Sequence, residues 1–218
     1  MQKPLLTATQ AVEKIKSGMT VMIGGFMAAG SPHKILKALA NSDICDLTIV
    51  CNDTAFPDKG IGLLIAAKKV KKVFVSHIGT NPMTIAQFNN KEIEVVFVPQ
   101  GTLAEQVHCG GAGLGGFLTP TGLGTVVAEG KQIVTLDGKE YLLEKAIRGD
   151  VALLGATIGD TAGNLHYKGT TQNFNPLMAM ACDTVIAELE ELVPVGEILM
   201  ENVHTPGIVV NFLVVSSE

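Results

Sequence analysis

Short apolar runs recur along the first half of the chain, separated by segments with a helical spacing of apolar positions. The runs are rich in β-branched residues and comprise Val21–Ile23, Leu47–Val50, Val73–Val75 and Val95–Val98. They are continuous rather than alternating, which is typical of strands covered on both faces. The helical segments between them are Pro32–Ala40, Ile61–Lys69 and Met83–Asn89. Strands separated by helices predict an α/β fold, an open, mostly parallel, doubly wound sheet with helices on both faces.

Flanking and later segments extend this pattern. A first helix is predicted over Ala8–Ser17, because Thr7 and Gln10 have the spacing of a capping box and Gly18 follows. In the middle of the chain, Leu136–Lys139 places Asp-Gly between apolar segments, which is a strong β-hairpin signal. The buried-strand pattern resumes at Val151–Leu154, Thr184–Ala187 and Val209–Val215. With no linker and no internal repeat, residues 1–218 are expected to form one domain with a β-hairpin excursion.

Composition and charge narrow the function classes. Of the 218 residues, 47% are hydrophobic and 17% charged, enough to bury a core without disulfides or metals. The net charge of −5 argues against a nucleic acid partner, since phosphates select for surfaces rich in Lys and Arg. The one basic cluster, Lys68–Lys72, falls where a helix should end. Compensation of the helix dipole is therefore favoured over contact with an anionic ligand.

The cysteines do not indicate a disulfide framework or a metal site. Cys45, Cys51, Cys109 and Cys182 include no CxxC pair, and the first two flank an apolar strand, where thiols behave as small hydrophobes. The first 18 residues are polar and helical rather than typical of a signal peptide. No apolar run reaches the ~20 residues that span a bilayer. We therefore expect a cytoplasmic protein without membrane association, bound metal or thiol chemistry.

Candidate functional residues follow the predicted strands. The four segments after the first four strands are Gly24-Gly25-Phe26, Asn52-Asp53-Thr54, Ser76-His77-Ile78-Gly79 and Pro99-Gln100-Gly101-Thr102. Each apolar strand thus delivers polar or glycine residues to the same edge. In open α/β sheets, ligands bind beyond the carboxyl ends of the strands. The pattern therefore predicts a binding site at this edge.

The segment Gly24–Pro32 is the most informative of the four. Its glycines allow the backbone to approach a ligand closely or to adopt positive φ. Ser31 is placed to cap the following helix and Pro32 to begin it. A glycine loop that leads into a helix N-terminus is a suitable seat for an anion such as phosphate. A tight strand-to-helix turn without any ligand fits the spacing equally well.

Other candidates carry less specific signals. Gly111–Gly116 matches the dinucleotide-binding pattern GxGxxG. That pattern binds a dinucleotide when it follows a strand, but here the predicted helix Leu103–Cys109 precedes it. A nicotinamide cofactor is therefore not expected. Gln100 offers a neutral amide donor, suited to an acyl oxygen or oxyanion and equally suited to capping a helix. Glu105 has the chemistry of a nucleophile or base, but a solvated helical Glu is the simpler interpretation. His77 is interpreted as a hydrogen-bonded structural histidine rather than a ligand contact.

Several segments together resemble the signature of coenzyme A transferases. The run GMTVMIGGFMAAGSP, Gly18–Pro32, is a hydrophobic triplet followed by GGFxxxGxP. The similarity continues through NDTAFPDKGIG (Asn52–Gly62), SHIGTNP (Ser76–Pro82), PQGTLAEQ (Pro99–Gln106), GGAGLGGFLTPTGLGT (Gly110–Thr125), KGTTQNFNPLMAMA (Lys168–Ala181) and TPG (Thr205–Gly207). Nearly the whole chain is covered. It is similar to the alpha subunits of class I acetate or butyrate–acetoacetate CoA-transferases.

The resemblance implies a reaction and a division of labour. The family exchanges coenzyme A between a short-chain acyl-CoA (acetyl-, butyryl- or acetoacetyl-CoA) and a free carboxylate. The route is ping-pong, through an acyl-glutamyl anhydride and a glutamyl-CoA thioester. The glutamate lies in a Ser-Glu-Asn-Gly-like motif of the beta subunit, and this chain lacks that motif, since Glu201-Asn202 is followed by Val203. The resemblance further implies a heterotetramer of two alpha and two beta subunits, with coenzyme A as substrate and no tightly bound cofactor.

The same resemblance assigns residues. Gln100 would contact the acyl group at the interface with the beta subunit. The loop that would bind coenzyme A consists of Gly24, Gly25, Phe26, Met27, Ala28, Ala29 and Gly30. Two positions depart from the family pattern, Ser17 where the signature opens with Asp or Asn, and His108 where many relatives carry arginine. The first is expected to affect only a turn, and the second an interface or charge contact.

Two rival function classes stay open. A sugar-phosphate isomerase, whose fold is related by resemblance, needs an acid/base pair near the glycine loop, and Asp53 and Asp58 are the candidates. A non-enzymatic sensor of acyl-CoA or nucleotide is the other, although such a protein usually carries an output segment.

Overall fold

The computed structural model describes residues 2–216, which form two β-sheets and six α-helices. The strands are β1 Thr20–Ile23, β2 Leu47–Val50, β3 Val70–Val75, β4 Glu94–Phe97, β5 Gly116–Thr119, β6 Ile133–Leu136, β7 Lys139–Lys145, β8 Gly149–Asp160, β9 Leu165–His166, β10 Cys182–Val193 and β11 Phe212–Val215. The helices are α1 Ala8–Val12, α2 His33–Ala40, α3 Gly62–Ala66, α4 Pro82–Asn89, α5 Gln100–Gly111 and α6 Asn175–Met180. Short 3₁₀ turns occur at Val126–Ala128, Gly169–Thr171, Met200–Asn202 and Gly207–Val209.

The main sheet confirms the predicted fold class. Its strands follow the order β11-β10-β8-β1-β2-β3-β4, and every neighbouring pair in this order is parallel. The short strand β9 pairs antiparallel with β8. The chain winds outward from β1 to β4 and then, starting again beside β1, from β8 to β11. The strand order therefore reverses at β1, and such a reversal point is where open α/β sheets bind their ligands.

Helices on both faces of the sheet explain why the apolar runs are continuous. Successive side chains of a strand point to opposite faces. Val21 and Ile23 of β1 pack among residues of α1, α2 and α3, whereas Met22 packs among residues of α5 and α6. In β8, Leu153 joins the first of these two cores and Leu154 the second. All five side chains are fully or almost fully removed from solvent.

Two local signals in the sequence are confirmed by the backbone. Thr7 and Gln10 form the predicted capping box, with the N–H of each residue bound by the side-chain oxygen of the other at 2.9 and 3.2 Å. Asp137 and Gly138 have φ of 50° and 75° and connect β6 to β7. Positive φ at both central residues is the geometry of a type I′ hairpin turn, which twists in the same sense as the strands.

The helix ends differ from the sequence prediction. α1 stops at Val12 rather than Ser17, because the backbone then tightens to bonds between residues three apart, Lys14 N to Ala11 O and Ile15 N to Val12 O. This tighter turn still buries Ile15. A strictly α-helical spacing was therefore not needed to place that side chain in the core.

The basic cluster spans two elements rather than marking one helix end. α3 stops at Ala66, and Lys68 follows it with a left-handed φ of 53°. Lys72 already lies within β3, where its ammonium group is 2.8 Å from the carboxylate of Glu94 on the neighbouring strand β4. The last turn of α3 contains no basic residue, so the interpretation of the cluster as helix-dipole compensation is wrong.

The predicted cap of α2 is also wrong. The helix begins at His33, preceded by Pro32, and has no side-chain cap from the residues before it. The hydroxyl of Ser31 instead donates to the carbonyl of Gly24 at 3.1 Å. Ser31 therefore closes the loop that follows β1 and leaves the first N–H groups of α2 to another partner.

The hairpin excursion is larger than predicted. A third strand, β5, pairs antiparallel with β7, so the order of this small sheet is β5-β7-β6. Glu144 of β7 is only 2% exposed. Its carboxylate accepts hydrogen bonds from Gln106 Nε2 at 3.0 Å and from the ammonium of Lys131. Because Gln106 belongs to α5, these bonds tie the small sheet to that helix.

Candidate active site

The carboxyl ends of β1 to β4 meet at one edge of the main sheet, where they line two adjoining cavities. The first, called the polar chamber, has a volume of about 410 Å³ and is lined by Phe26, Met27, Asn52, Asp53, Ser76, His77, Thr80 and Gln100. The second, called the apolar chamber, has a volume of about 380 Å³ and is lined by Phe26, Asn52, Gln100, Ala104, Thr170, Asn173, Phe174 and Leu177. Phe26, Asn52 and Gln100 line both and form the wall that the chambers share.

Gln100 is the first residue of α5, and its side chain is exposed. The residue that precedes the helix is Pro99, and no side chain caps this helix end. Within residues 2–216 the Gln100 amide has no hydrogen-bond partner. The alternative interpretation of Gln100 as a capping group is therefore wrong. Its N–H donors are free to bind a ligand in either chamber.

The glycine loop, residues Gly24–Gly30, is a tight turn that projects side chains into the chambers. Phe26 and Ala29 exchange two backbone hydrogen bonds of 2.9 Å. The two residues between them, Met27 and Ala28, have left-handed φ of 48° and 71°. Such φ values strain residues other than glycine, and strained backbone is concentrated at binding sites. The turn leaves Phe26 and Met27 each 42% exposed at the cavity wall.

Two asparagines far along the chain hold the glycine loop. Asn173 Oδ1 accepts a hydrogen bond from Gly25 N at 3.0 Å, and its Nδ2 donates to Ala29 O at 3.1 Å. Asn175 is fully buried, and its Nδ2 donates to Gly30 O at 3.0 Å. No local pattern in the sequence predicted that this segment holds the loop. The family resemblance, through KGTTQNFNP, was the one signal that included it.

The N-terminus of α2 is not an anion seat, contrary to one of the two alternatives for the glycine loop. The N–H groups of Lys34 and Ile35 are bound by the carboxylate of Glu188, at 3.1 and 2.9 Å. Glu188 lies on β10 and is 4% exposed. A carboxylate of this chain therefore already compensates the positive end of the helix dipole. Any anion bound by the loop has to use other donors.

The carboxylate of Asp53 is committed to the loops around it. Its Oδ2 accepts from Met27 N at 2.9 Å and its Oδ1 from Ala55 N at 2.7 Å. It is 6% exposed and is the only carboxylate that lines either chamber among the described residues. Asp58 is exposed on a turn and lines neither chamber. The acid/base pair that an isomerase needs is therefore not assembled here.

His77 is not the structural histidine that the sequence suggested. Its side chain is exposed and lines the polar chamber. No side-chain hydrogen bond involves it within residues 2–216. Its backbone pairs in register with Asp53 of the neighbouring strand end, which explains how both reach the same cavity. His77 thus joins Gln100 as a polar group whose donor is free.

The remaining candidates lie outside the chambers. Glu105 Oε2 is 3.0 Å from His108 Nδ1 on the exposed side of α5, so the residue that departs from the family pattern makes a local side-chain hydrogen bond. Neither residue lines a chamber. Gly111–Gly116 lies between α5 and β5, the reverse of the strand-to-helix order that dinucleotide binding needs. Ser17 Oγ accepts from Cys45 N at 3.0 Å and so stabilises the turn before β1.

Three of the thiols have a raised pKa because they are buried. Burial, and secondarily the charge of Asp53, raise the pKa of Cys51 well above the usual value. Burial raises the pKa of the Cys182 thiol to about 12, and burial also raises the pKa of Cys109. All four cysteines are free. In the described part of the chain, no three His, Cys, Asp or Glu side chains are grouped so that they could hold a metal ion.

No helix formed by residues 2–216 is long and apolar enough to cross a membrane.

Comparison with known proteins identifies the family. A model of the coenzyme A transferase family matches residues 5–216. The chain belongs to this family. Among related proteins, the acetate CoA-transferase subunit alpha of Escherichia coli (strain K12) is 53% identical over 218 residues, which is 100% of this chain and 99% of that protein. The acetoacetyl-CoA:acetate/butyrate CoA transferase alpha subunit of Clostridium acetobutylicum is 51% identical over 199 residues, 91% of each chain.

Solved CoA-transferases share the fold. An acyl-CoA transferase from E. coli O157:H7, crystallised as a thioester complex with CoA, superposes with a TM-score of 0.89 at 23% identity. The superposition covers 99% of this chain but 48% of the other, so this CoA-transferase chain spans about half the length of that enzyme. Glutaconate coenzyme A-transferase from Acidaminococcus fermentans gives a TM-score of 0.87 at 19% identity, covering 97% of this chain and 75% of the other. At these identities the likeness supports the α/β fold and nothing finer.

Proposed function

We propose that this chain is the alpha subunit of a heteromeric CoA-transferase, which moves coenzyme A between a short-chain acyl-CoA and a free short-chain carboxylate. The acyl-CoA would be acetyl-, butyryl- or acetoacetyl-CoA. The family membership and the alpha-subunit relatives, at 53% and 51% identity over almost their whole lengths, support the reaction class. The observation that carries the assignment to this site is the unpartnered Gln100 amide on the shared wall of two chambers.

Gln100 supplies what the reaction needs from this chain. When a carboxylate attacks a thioester, negative charge develops on the thioester oxygen, and a preorganised N–H donor lowers the barrier by stabilising that charge. The apolar side chains of Phe26, Phe174 and Leu177 exclude water and so strengthen this interaction. An amide carries no charge of its own, so it stabilises the oxyanion without attracting a competing anion.

The nucleophile comes from the beta subunit in this proposal. Asp53, the one carboxylate among the described residues that lines the chambers, has both oxygens engaged by backbone N–H groups. Glu105 is paired with His108 outside the chambers. The family resemblance places the nucleophilic glutamate in a Ser-Glu-Asn-Gly motif of the partner. Docking of the partner would then close the chambers and bring the glutamate to the shared wall.

The glycine loop is proposed to bind coenzyme A. Within the described residues, the backbone N–H groups of Ala28 and Gly30 have no hydrogen-bond acceptor and are available to the phosphopantetheine part of the ligand. We further propose an assembly of two alpha and two beta subunits with no other tightly bound cofactor. The cytoplasm is the proposed compartment, because free thiols are maintained in reducing surroundings.

The test is acyl exchange between butyryl-CoA or acetoacetyl-CoA and acetate. This chain is assayed alone and then with a partner subunit that carries the Ser-Glu-Asn-Gly motif. Activity is expected only in the mixture, and Gln100→Ala should lower kcat by about 10²–10³-fold. Gln132→Ala, an exposed glutamine before β6, is the matched control and should leave the rate unchanged. Full transfer by this chain alone would overturn the proposal and return attention to Glu105.

A further inference from the structure

The two chambers differ in what they offer a ligand. The residues that line only the apolar chamber are Ala104, Phe174 and Leu177, which contribute aliphatic and aromatic surface, together with the polar residues Thr170 and Asn173. The polar chamber is lined instead by side chains from the ends of β2 and β3 and from the loops that follow these strands. A substrate that spans the shared wall therefore meets more hydrocarbon on one side and more hydrogen-bonding groups on the other.

Several hydrogen-bond donors in the polar chamber already have partners. The Ser76 hydroxyl donates to Asn52 O at 2.7 Å, and the Thr80 hydroxyl donates to Ala55 O at 2.8 Å. A hydroxyl has a single hydrogen, so both groups face a ligand only as acceptors. Asn52 Nδ2 donates one of its hydrogens to Asp53 at 3.3 Å.

The free donors are few. Among the side chains of the described residues, the one donor left in this chamber besides Gln100 and the second hydrogen of Asn52 Nδ2 is the imidazole of His77. Asn52 is 2% exposed, whereas the His77 side chain is exposed. No Lys or Arg among the described residues lines the chamber, and the Asp53 carboxylate does. This environment suits the neutral oxygen of a carbonyl better than a second carboxylate.

We propose that His77 is a specificity-determining residue, whose ring N–H donates a hydrogen bond to the 3-oxo oxygen of a 3-oxoacyl group held in the polar chamber. It thereby favours 3-oxoacyl-CoA thioesters and 3-oxo acids over saturated ones of the same length. This inference rests on the proposed function, because it assumes that the thioester carbonyl lies at Gln100. The acyl chain then extends into the polar chamber.

Gly79 positions the His77 ring. A Cβ added at Gly79 would lie 2.7 Å from His77 Cε1 and 2.8 Å from Nε2, so the ring rests against the glycine. Gly79→Ala would displace the imidazole, and a ring at the end of a side chain yields easily. The glycine therefore offers a way to move the donor without deleting it.

Acetoacetyl-CoA and butyryl-CoA are the matched substrates, since their acyl groups have the same length and differ at the 3-oxo group. The complex of this chain with its beta subunit is assayed for kcat/KM with each. His77→Leu should lower the ratio of acetoacetyl-CoA to butyryl-CoA by about ten- to a hundredfold, because a site with a hydrogen-bonding group discriminates strongly for the matching oxygen. His77→Gln, which keeps a donor, should retain part of the ratio, and Gly79→Ala should lower it. An unchanged ratio, or an equal fall with both substrates, would overturn the proposal.

A binding measurement separates this inference from the proposed function. Calorimetric titration of the complex with acetoacetate and with butyrate needs no turnover. The wild-type complex should bind acetoacetate more tightly, and His77→Leu should remove that preference. If the preference is present and depends on His77 but no CoA transfer occurs, the proposed function fails and the oxygen site stands. If transfer occurs without any such preference, the oxygen site fails and the proposed function stands.

Discussion

Gly24→Ala should destabilise the protein mainly through one neighbour, the side chain of Asn175. A Cβ built on Gly24 lies 1.8 Å from Asn175 Oδ1, far inside the 3.0 Å below which real Cβ contacts essentially never occur, and its three nearest atoms all belong to that amide. The amide makes three hydrogen bonds, from Gly155 N at 3.2 Å and to Gly30 O and Thr171 O at 3.0 and 2.8 Å. It cannot retreat from an added methyl group and keep all three.

The magnitude follows from these bonds. Each hydrogen bond contributes about 1 kcal/mol net, so losing three costs about 3 kcal/mol, roughly a hundredfold in the folding equilibrium. For a chain of this size, that lowers Tm by about 6–12 °C. Asn175→Ala loses the same bonds and should cost a similar amount. The double variant Gly24→Ala/Asn175→Ala removes the atoms that the new Cβ meets, so it should cost about as much as Asn175→Ala alone.

Urea unfolding of the purified chain and its variants, followed by circular dichroism, measures these differences. Gly115→Ala is the matched control, because a Cβ there meets nothing within 4 Å, and its stability should be unchanged. The decisive quantity is the interaction free energy between the two substitutions, obtained from the double-mutant cycle. If the effects of Gly24→Ala and Asn175→Ala add, the penalty at Gly24 does not arise from the Asn175 amide, and the account of this loop is refuted.

Two further predictions concern groups outside the chambers. Glu188→Gln replaces a carboxylate oxygen with an NH₂ group that faces N–H donors at the start of α2. Urea unfolding should show that the free energy of unfolding falls by about 2–3 kcal/mol. The control Glu190→Gln, at an exposed neighbour, should stay within about 0.5 kcal/mol of wild type. Cys45 should be the one thiol that iodoacetamide labels rapidly at pH 8, because it is the one cysteine that is not buried. The raised pKa of the three buried thiols keeps them neutral at that pH. Fast labelling of a buried cysteine, detected by mass spectrometry, would contradict this.

The periodic part of the fold was accessible from the sequence. Continuous β-branched runs predicted strands covered on both faces. β1 illustrates this, because Met22 packs in one core while its neighbours Val21 and Ile23 pack in the other. Residues that follow strands were predicted to share an edge, and Gln100 and His77 do line one cavity. These inferences rest on geometry that every parallel sheet imposes.

The missed features depend on partners remote in sequence. No local pattern connects Asn173 to Gly25, which are 148 positions apart, or Glu188 to Ile35, which are 153 positions apart. The same limit explains the errors at Ser31 and the start of α2. A local rule assigned Ser31 to the helix cap, but a buried carboxylate from another strand satisfied those N–H groups first.

The attachment of the glycine loop to Asn173 and Asn175 has a consequence for biosynthesis. β1 emerges early from the ribosome, but its neighbour β8 and both asparagines follow well over a hundred residues later. Until then the nascent chain exposes one unpaired edge of β1, a template for wrong pairing, and the loop has no fixed shape. Late closure of long-range contacts also slows folding. A truncated product that ends before β8 lacks both the partner of this edge and the two asparagines, and it would therefore be prone to aggregate.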